Sequence, residues 1–408
     1  MPYSRRDVVQ GLIAAPLLTA VSGTQHAKAA TTGPLPDKRS FPFDGTYLNA
    51  AFTHPLGSQA LAAAQAYLKD RTYDVDRSWP RVNSRDEAVA AFAGLINASP
   101  SEIAVVSSTM GGENLVAAAL GLGPAAGVVT DAFHYDASLA MYGELERSGV
   151  PVAVVSPRKN AMDLRDFEAA IGKGTRLVAV SLVSSLTGFK HDLKQLCEVA
   201  HSKGALVYAD IIQAAGAIPI DVRESGVDFC CCGTYKWLMG DFGTGFLYVR
   251  SDRLDSLKRV QLGWRQLAAS GHHIYPFDAP GPAIGDWTLR KDTVGLFEVG
   301  TPDWSALSVA TASIRYIQDI GISAIVRHRQ PMLDRLRTEL PKLGFGPLTP
   351  DLGGPIASFS YQNAAKRFGP ALAASKIKIS VYENMMRISP SVYNDMEDIE
   401  RLLRVFRS

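Results

Sequence analysis

Apolar and polar positions divide this chain into distinct regimes. In its middle, short apolar runs recur: Ile103-Ala-Val-Val106, Gly127-Val-Val-Thr130, Val152-Ala-Val-Val155, Leu177-Val-Ala-Val180, Ala205-Leu-Val-Tyr208, the cysteine-rich Val227-Asp-Phe-Cys-Cys-Cys-Gly233, and Gly245-Phe-Leu-Tyr-Val249. Near-continuous apolar runs of this length suit strands buried on both faces. Between them lie stretches with helical apolar spacing, at 112–120, 136–148 and 190–203. Strands alternating with helices predict a mostly parallel sheet covered on both sides. Such sheets bind ligands beyond the carboxyl ends of their strands. That rule selects Ser107 to Thr109, His134, Ser184 and Ser185, Asp210 and Lys236.

The flanks differ. Upstream, Tyr47-Leu-Asn-Ala-Ala-Phe-Thr-His-Pro55 reads as a short strand or extended segment, followed by helices over about 58–70 and 84–96. Downstream of Thr301, helices near 304–320, 328–343, 363–374 and 395–406 and short strands near 356–361 and 386–388 predict a small α+β domain. The expected layout is a proline-rich arm at 31–57, a large domain at 58–303 and a small domain at 304–408. A length of 408 residues suits two cores rather than one.

The first thirty residues follow another logic. Ser4-Arg5-Arg6-Asp7 precedes the apolar Gly11-Leu-Ile-Ala-Ala-Pro-Leu-Leu-Thr-Ala-Val21 and the small-residue Ala27-Lys28-Ala29. This order of charge, apolar core and cleavage site resembles a twin-arginine export signal at 1–30, cut near Ala29 or Ala30. It implies a periplasmic protein carried in folded form by the twin-arginine machinery. Losing the segment brings the formal charge from +2 to zero, which gives no reason to expect nucleic acid or stable membrane association afterwards.

The chemistry concentrates between Asp210 and Lys236. Asp210 ends a strongly apolar run, and Asp210-Ile-Ile-Gln213 follows it. A buried carboxylate there can keep a pyridine nitrogen protonated, which pyridoxal phosphate requires as an electron sink. Gln213 offers a neutral donor for the cofactor's phenolic oxygen. Alone, the pattern fits an aspartate capping a helix equally well. Lys236, between Tyr235 and Trp237 and ahead of Gly240-Asp-Phe-Gly-Thr-Gly245, has the desolvated setting that turns an ammonium into a nucleophilic amine. A surface lysine lying on aromatic rings is the alternative.

Together these motifs resemble the class V aminotransferase family of pyridoxal phosphate enzymes, which includes cysteine desulfurases, selenocysteine lyases and isopenicillin N epimerase-like proteins. The likeness runs from Tyr47-Leu-Asn to Tyr393-Asn-Asp395. It implies the fold type I, aspartate aminotransferase-like architecture: a large mostly parallel-sheet α/β domain, a smaller α+β C-terminal domain, and a homodimer with active sites at the interface. Carried over residue by residue, it makes Lys236 the Schiff-base lysine. Ser108, Thr109 and Met110 match the phosphate loop at a helix start. His134 matches the ring that stacks on the pyridine, and Thr301 the donor that reaches the other subunit's phosphate. Arg387, in Met386-Arg-Ile-Ser-Pro, matches the grip on a substrate carboxylate.

Departures limit the finer assignment. Ser185 stands where an asparagine is frequent, Gly233 where a phosphate-binding serine is, and Tyr235 where a histidine is, so phosphate contacts are expected from Thr234 or Tyr235. No cysteine lies beyond Cys232, which argues against a cysteine desulfurase, whose persulfide-forming cysteine sits on a late loop. Cys197 and Cys230 to Cys232 read as buried apolar residues rather than a metal or disulfide cluster, and no metal is expected. The implied activity is on an amino acid or amine, by transamination, epimerisation or β-elimination, with Tyr135 a candidate second acid/base. Tailoring of an exported peptide or siderophore is a further possibility, and a silent protein on the same fold the last. The stretch from Gly263-Trp264 through His272-His-Ile-Tyr-Pro276 to Trp287 is expected to form either a substrate rim or a dimer contact.

Overall fold

The computed structural model describes residues 35–74, 83–272, 277, 285–350 and 353–408. The expected export signal and His273 lie outside them. Strands β1 (Ile103–Val106), β2 (Gly127–Asp131), β3 (Val152–Val155), β4 (Thr175–Ser181), β5 (Leu206–Asp210), β6 (Phe229–Gly233) and β7 (Gly245–Val249) form one seven-stranded sheet. Its order is β1-β7-β6-β5-β4-β2-β3. The pairs β2/β3, β2/β4, β4/β5 and β5/β6 are parallel, whereas β7 runs antiparallel to both β6 and β1. Six carboxyl ends therefore face one edge of the sheet, as the apolar runs predict.

Helices cover both faces. On one side, α2 (Asn83–Leu95), α6 (Leu193–Ser202) and α7 (Trp304–Ile320) supply Phe92, Leu196 and Leu307 to a core that takes Cys230 and Cys232 from β6. On the other, α3 (Thr109–Ala119) and α4 (Asp136–Arg147) supply Val116 and Tyr142 against Cys231. The three consecutive cysteines thus alternate between faces, as strand geometry requires, and all four cysteines are free and buried. Among the described residues no helix is long and apolar enough to cross a membrane.

A second core gathers Leu333, Leu336, Phe359, Phe368, Met386 and Leu402, between α8 (Ile322–Glu339), α9 (Ala364–Ala374), α10 (Met396–Arg407) and a four-stranded antiparallel sheet. Helix α8 starts six residues before the expected 328 because Gly321, at φ +83, ends α7 and lets the chain turn straight into it. Pro331 sits inside α8, and Pro341 starts the 3-10 turn after it.

The segment expected as an arm is built into the fold. Thr46–Tyr47 pairs in parallel with Ile377–Lys378, and Asn49 bridges to Ser389. Its next residues, Ala50 and Ala51, are buried and deliver the chain to the sheet edge. Nothing in the apolar pattern announced the antiparallel hairpin Leu267–His272 with Gly285–Leu289, whose strands carry the exposed Trp287 within the 263–287 stretch.

Candidate active site

The ends of β5 and β6 bring the two central residues together. Asp210 closes β5 and is buried; its Oδ1 accepts from the Ile212 amide at 2.9 Å. Burial pushes its carboxyl up to about 6, although that amide and the charges of His134 and Lys236 pull the other way. Lys236 follows β6 and is 9% exposed. Burial lowers its ammonium to about 8 against the attraction of Asp210. Each group is held in an uncomfortable charge state, and each is tuned toward chemistry near neutral pH. The alternative of a snorkelling surface lysine is excluded by this burial.

Gln213 is buried beside them. Its Nε2 donates to the Ala51 carbonyl at 2.9 Å, and its Oε1 accepts from Trp237 Nε1 at 2.8 Å. These bonds fix the amide between the 46–51 segment and the lysine turn. One of its two Nε2 protons remains for a ligand oxygen.

His134 lies beyond β2, with its ring fully enclosed. Nδ1 is 2.9 Å from Ser181 Oγ on β4, and Ser181 pairs in register with Asp210. Nε2 is 2.9 Å from Glu113 Oε1 on α3. Burial opposes a proton on this ring, but Glu113 and, further off, Asp210 and Asp131 carry its pKa above the ordinary value. Glu113 also accepts from Ser138 Oγ at 2.6 Å and Tyr142 OH at 2.8 Å. Sequence reasoning missed Glu113. Its signal was a carboxylate on the same helical face as Val116 and Ala117.

Helix α3 starts at the end of β1. Ser108 caps it, accepting from the Gly111 amide at 2.9 Å. Thr109 Oγ1 accepts from the Gly233 amide at 2.9 Å, which ties the helix start to the lysine turn. Gly112 is required by packing, because a Cβ there would sit 2.3 Å from Cys231 Sγ. Met110 is half-buried, and its sulfur faces Ser138 Oγ at 3.3 Å. The expectation for Thr234 is corrected: its hydroxyl is spent on the carbonyls of Asp241 and Thr244, closing the glycine turn. Tyr235 stacks on Phe242, centroids 4.8 Å apart, and its ring lies 5.7 Å from Lys236 Nζ.

Thr301 is exposed and lines a cleft of about 700 Å³ with Ser107, Gly111 and Asn114. The segment carrying it is anchored at Glu298, which pairs with Arg85 and Arg265 and accepts from the Val105 amide. Arg387 is buried on the small domain's sheet. Its Nη1 donates to the Ser185 carbonyl and its Nη2 to Ser380 Oγ at 3.0 Å. Ser380 in turn donates to Asn49 Oδ1 at 2.7 Å. No carboxylate pairs with Arg387 among the described residues, and its Nε has no partner there. A buried guanidinium so placed asks for an anion.

These residues fit pyridoxal phosphate: a buried acid for its ring nitrogen, a desolvated amine for its carbonyl carbon, and the start of α3 for its phosphate. Among the described residues no cluster of His, Cys, Asp and Glu could hold a metal. Fold and site define a fold type I pyridoxal phosphate-dependent enzyme.

The comparisons with known proteins agree. Residues 46–402 match the family model described as aminotransferase class-V, and the chain belongs to that family. A relative from Methanothermobacter thermautotrophicus named "Probable cysteine desulfurase" is 30% identical over 306 residues, covering 74% of this chain and 73% of that protein. The isopenicillin N epimerase of Streptomyces clavuligerus is 26% identical, covering 78% and 82%. Among solved structures, an apo cysteine desulfurase from Thermococcus onnurineus superposes with a TM-score of 0.78 over 92% of this chain and 98% of that one, at 22% identity.

Proposed function

We propose that this enzyme acts at Cα of an amino acid or amine, with Lys236 first carrying the cofactor and then moving the Cα proton. The observation that carries this is the placement of the buried Lys236, held near 8, within electrostatic reach of the buried Asp210 just beyond neighbouring strand ends. Bound pyridoxal phosphate supplies the electron sink for the pair left at Cα. With the cofactor bound, Asp210 would hold the charge on its ring nitrogen, His134 would cover its face, and Gln213 and Ser185 would serve its phenolic oxygen. Ser108, Thr109, Met110 and Tyr235 would serve its phosphate. Arg387 orients a substrate carboxylate, so an α-amino acid is the favoured substrate class. All four cysteines are buried, which speaks against a sulfur relay on one of them. Transamination is the first reading. Epimerisation is the second, supported by the epimerase relative.

The reading extends to a homodimer in which the exposed Thr301 faces the partner's phosphate, and to export through the twin-arginine route. Holoenzyme incubated with L- and D-amino acids in deuterated water, followed by absorbance and by Cα-proton NMR, separates transaminase, epimerase and lyase behaviour. A wild-type protein that gains no visible absorption when given pyridoxal phosphate would refute the enzyme reading. For export, residues 1–30 fused to a folded reporter should reach the periplasm, and Arg5→Lys with Arg6→Lys should stop it; undiminished transport removes the twin-arginine proposal.

A further inference from the structure

We propose that Glu113 is the positioning residue for His134: its carboxylate fixes the ring as the Nε2–H tautomer and makes Nδ1, against Ser181, the atom that gains and loses a proton. The proposal rests on the reading that His134 covers the cofactor's face. It deepens that reading by assigning the ring a defined, titratable edge.

The argument begins with donors and acceptors. A carboxylate only accepts, so Nε2, 2.9 Å from Glu113 Oε1, must carry a hydrogen. The Ser181 hydroxyl, 2.9 Å from Nδ1, can donate or accept by rotating. The neutral and cationic forms of His134 therefore interconvert by a hydroxyl rotation, with no movement of the ring. A ring stacked on a cofactor keeps its plane through such a change.

Glu113 is itself held for this task. It is 1% exposed, on a helix otherwise packed by Val116, Ala117 and Ala119. Leaving such a buried charge without partners would be strongly destabilising. Three donors converge on it: His134 from the loop before α4, and Ser138 and Tyr142 from within α4. Oε2 takes Ser138, and Oε1 is shared between Tyr142 and the histidine, so the carboxylate ties α4 and the ring together.

The charges around the ring share one sign. Glu113 faces it from α3, Asp131 from the end of β2 and Asp210 from the end of β5. Tyr142 of α4 stacks at 6.2 Å, and Tyr208 of β5 lies on the Glu113 side. Asp131 Oδ1 accepts from the Phe133 amide at 2.6 Å, and its Oδ2 lies 3.1 Å from His191 Nε2. The surroundings favour the imidazolium, in line with the upward displacement noted above. Of the three carboxylates, Glu113 alone is bonded to the ring.

A tie that merely joins α3 to α4 would use the same bonds, so the test must read the ring itself. Full-length protein labelled with ¹⁵N-histidine is followed by two-bond ¹H–¹⁵N correlation across pH, with and without pyridoxal phosphate. His134 is assigned among the eight histidines by its loss in His134→Gln. The expected result is an Nε2–H ring at every pH, with a midpoint above the ordinary 6.5. In Glu113→Gln, which keeps the shape and removes the charge, the midpoint should fall by about one pH unit, tenfold in proton affinity. Tyr142→Phe keeps the carboxylate and frees one of its lone pairs, so its midpoint should stay or rise. An Nδ1–H tautomer in the wild type overturns the proposal, as does a midpoint unmoved in Glu113→Gln. So does a fall in Tyr142→Phe equal to that in Glu113→Gln, which would trace both to lost packing. Should Glu113→Gln fail to fold, the wild-type tautomer and the sign of the Tyr142→Phe shift still decide. The cofactor-free measurement stands by itself: if no visible absorption develops with pyridoxal phosphate, the functional reading fails while the Glu113–His134 pair is still judged.

Discussion

Asp210→Asn separates what the buried carboxylate costs the fold from what it contributes to the site. In the folded chain its carboxyl is moved from 3.8 to about 6, a net value that already includes the help of Ile212, His134 and Lys236. A displacement of two units corresponds to about 3 kcal/mol of differential interaction. The direction is fixed by linkage. With the folded pKa above the unfolded one, the folded chain keeps a proton that the unfolded chain has released, so this group's contribution is intact below about pH 4 and is lost as pH rises through 6. At pH 7.5 the ionised group therefore costs the cofactor-free protein about 3 kcal/mol, falling to about half that at pH 5. Asparagine keeps the shape and cannot ionise. Cofactor-free Asp210→Asn should be more stable than wild type at pH 7.5 by about 1–3 kcal/mol in urea unfolding, with a smaller gap at pH 5. With pyridoxal phosphate the order should reverse, because only the carboxylate can pair with a protonated ring nitrogen. A cofactor-free variant less stable than wild type at pH 7.5, or a gap independent of pH, would show that Asp210 is held for structure rather than for a cationic ligand.

Other residues give independent tests. Arg387→Ala should raise KM for an α-amino acid about 10–100-fold, matching about 1.5–3 kcal/mol for a charged hydrogen bond, and should leave the corresponding amine nearly unaffected; equal loss for both would remove the carboxylate assignment. Gly112→Ala should cost about 1–3 kcal/mol despite its better helix propensity, because the new Cβ falls 2.3 Å from Cys231 Sγ, and Cys231→Ala should restore most of it; no rescue in the double variant contradicts the contact. The rate of cofactor capture, read by stopped-flow absorbance, should rise with a midpoint near pH 8 as Lys236 loses its proton. Asp210→Asn should move that midpoint lower, since it removes an attraction that favours the ammonium; a midpoint that stays fixed argues against their electrostatic coupling.

What could be read from the chain is the part fixed by local pattern. A run such as Ile103-Ala-Val-Val106 has one way to hide its apolar residues, in a strand covered on both sides, and it is a strand with those bounds. Helix Trp304–Ile320 was equally visible, because Asp303 caps it and Gly321 ends it. The hairpin Leu267–His272 with Gly285–Leu289 was not, because four of five residues in its second strand are exposed and no buried face imposes a period. The partners of the 46–51 segment were hidden for a related reason. Its burial comes from pairing with Ile377 and Ser389, more than three hundred residues away, and local composition carries no trace of that.

The site divides along the same line. Asp210 and Lys236 could be found because a strand-end rule says where ligands sit, and the rule needs only chain order. Glu113 and Thr234 could not, because their roles depend on what faces them. Thr234 has the residue type and position of a phosphate donor, yet the turn that brings Lys236 to Asp210 consumes its hydroxyl. That exchange has a consequence for how the cofactor's phosphate is held. With the Thr234 hydrogen committed to carbonyls, Ser108 and Thr109 accept from the Gly111 and Gly233 amides and each keeps its own hydroxyl hydrogen for an anion. Beside those hydroxyls, the start of α3 offers an anion its amides and the positive end of its dipole, a source that does not depend on side-chain identity. A serine at Gly233 would add a Cβ 3.4 Å from Thr109 Oγ1 and 3.2 Å from the Tyr235 ring, a tight approach that a shift of a few tenths of an ångström relieves. Gly233 and Tyr235 are thus close neighbours in the packing of the lysine turn, where the Tyr235 ring also stacks on Phe242.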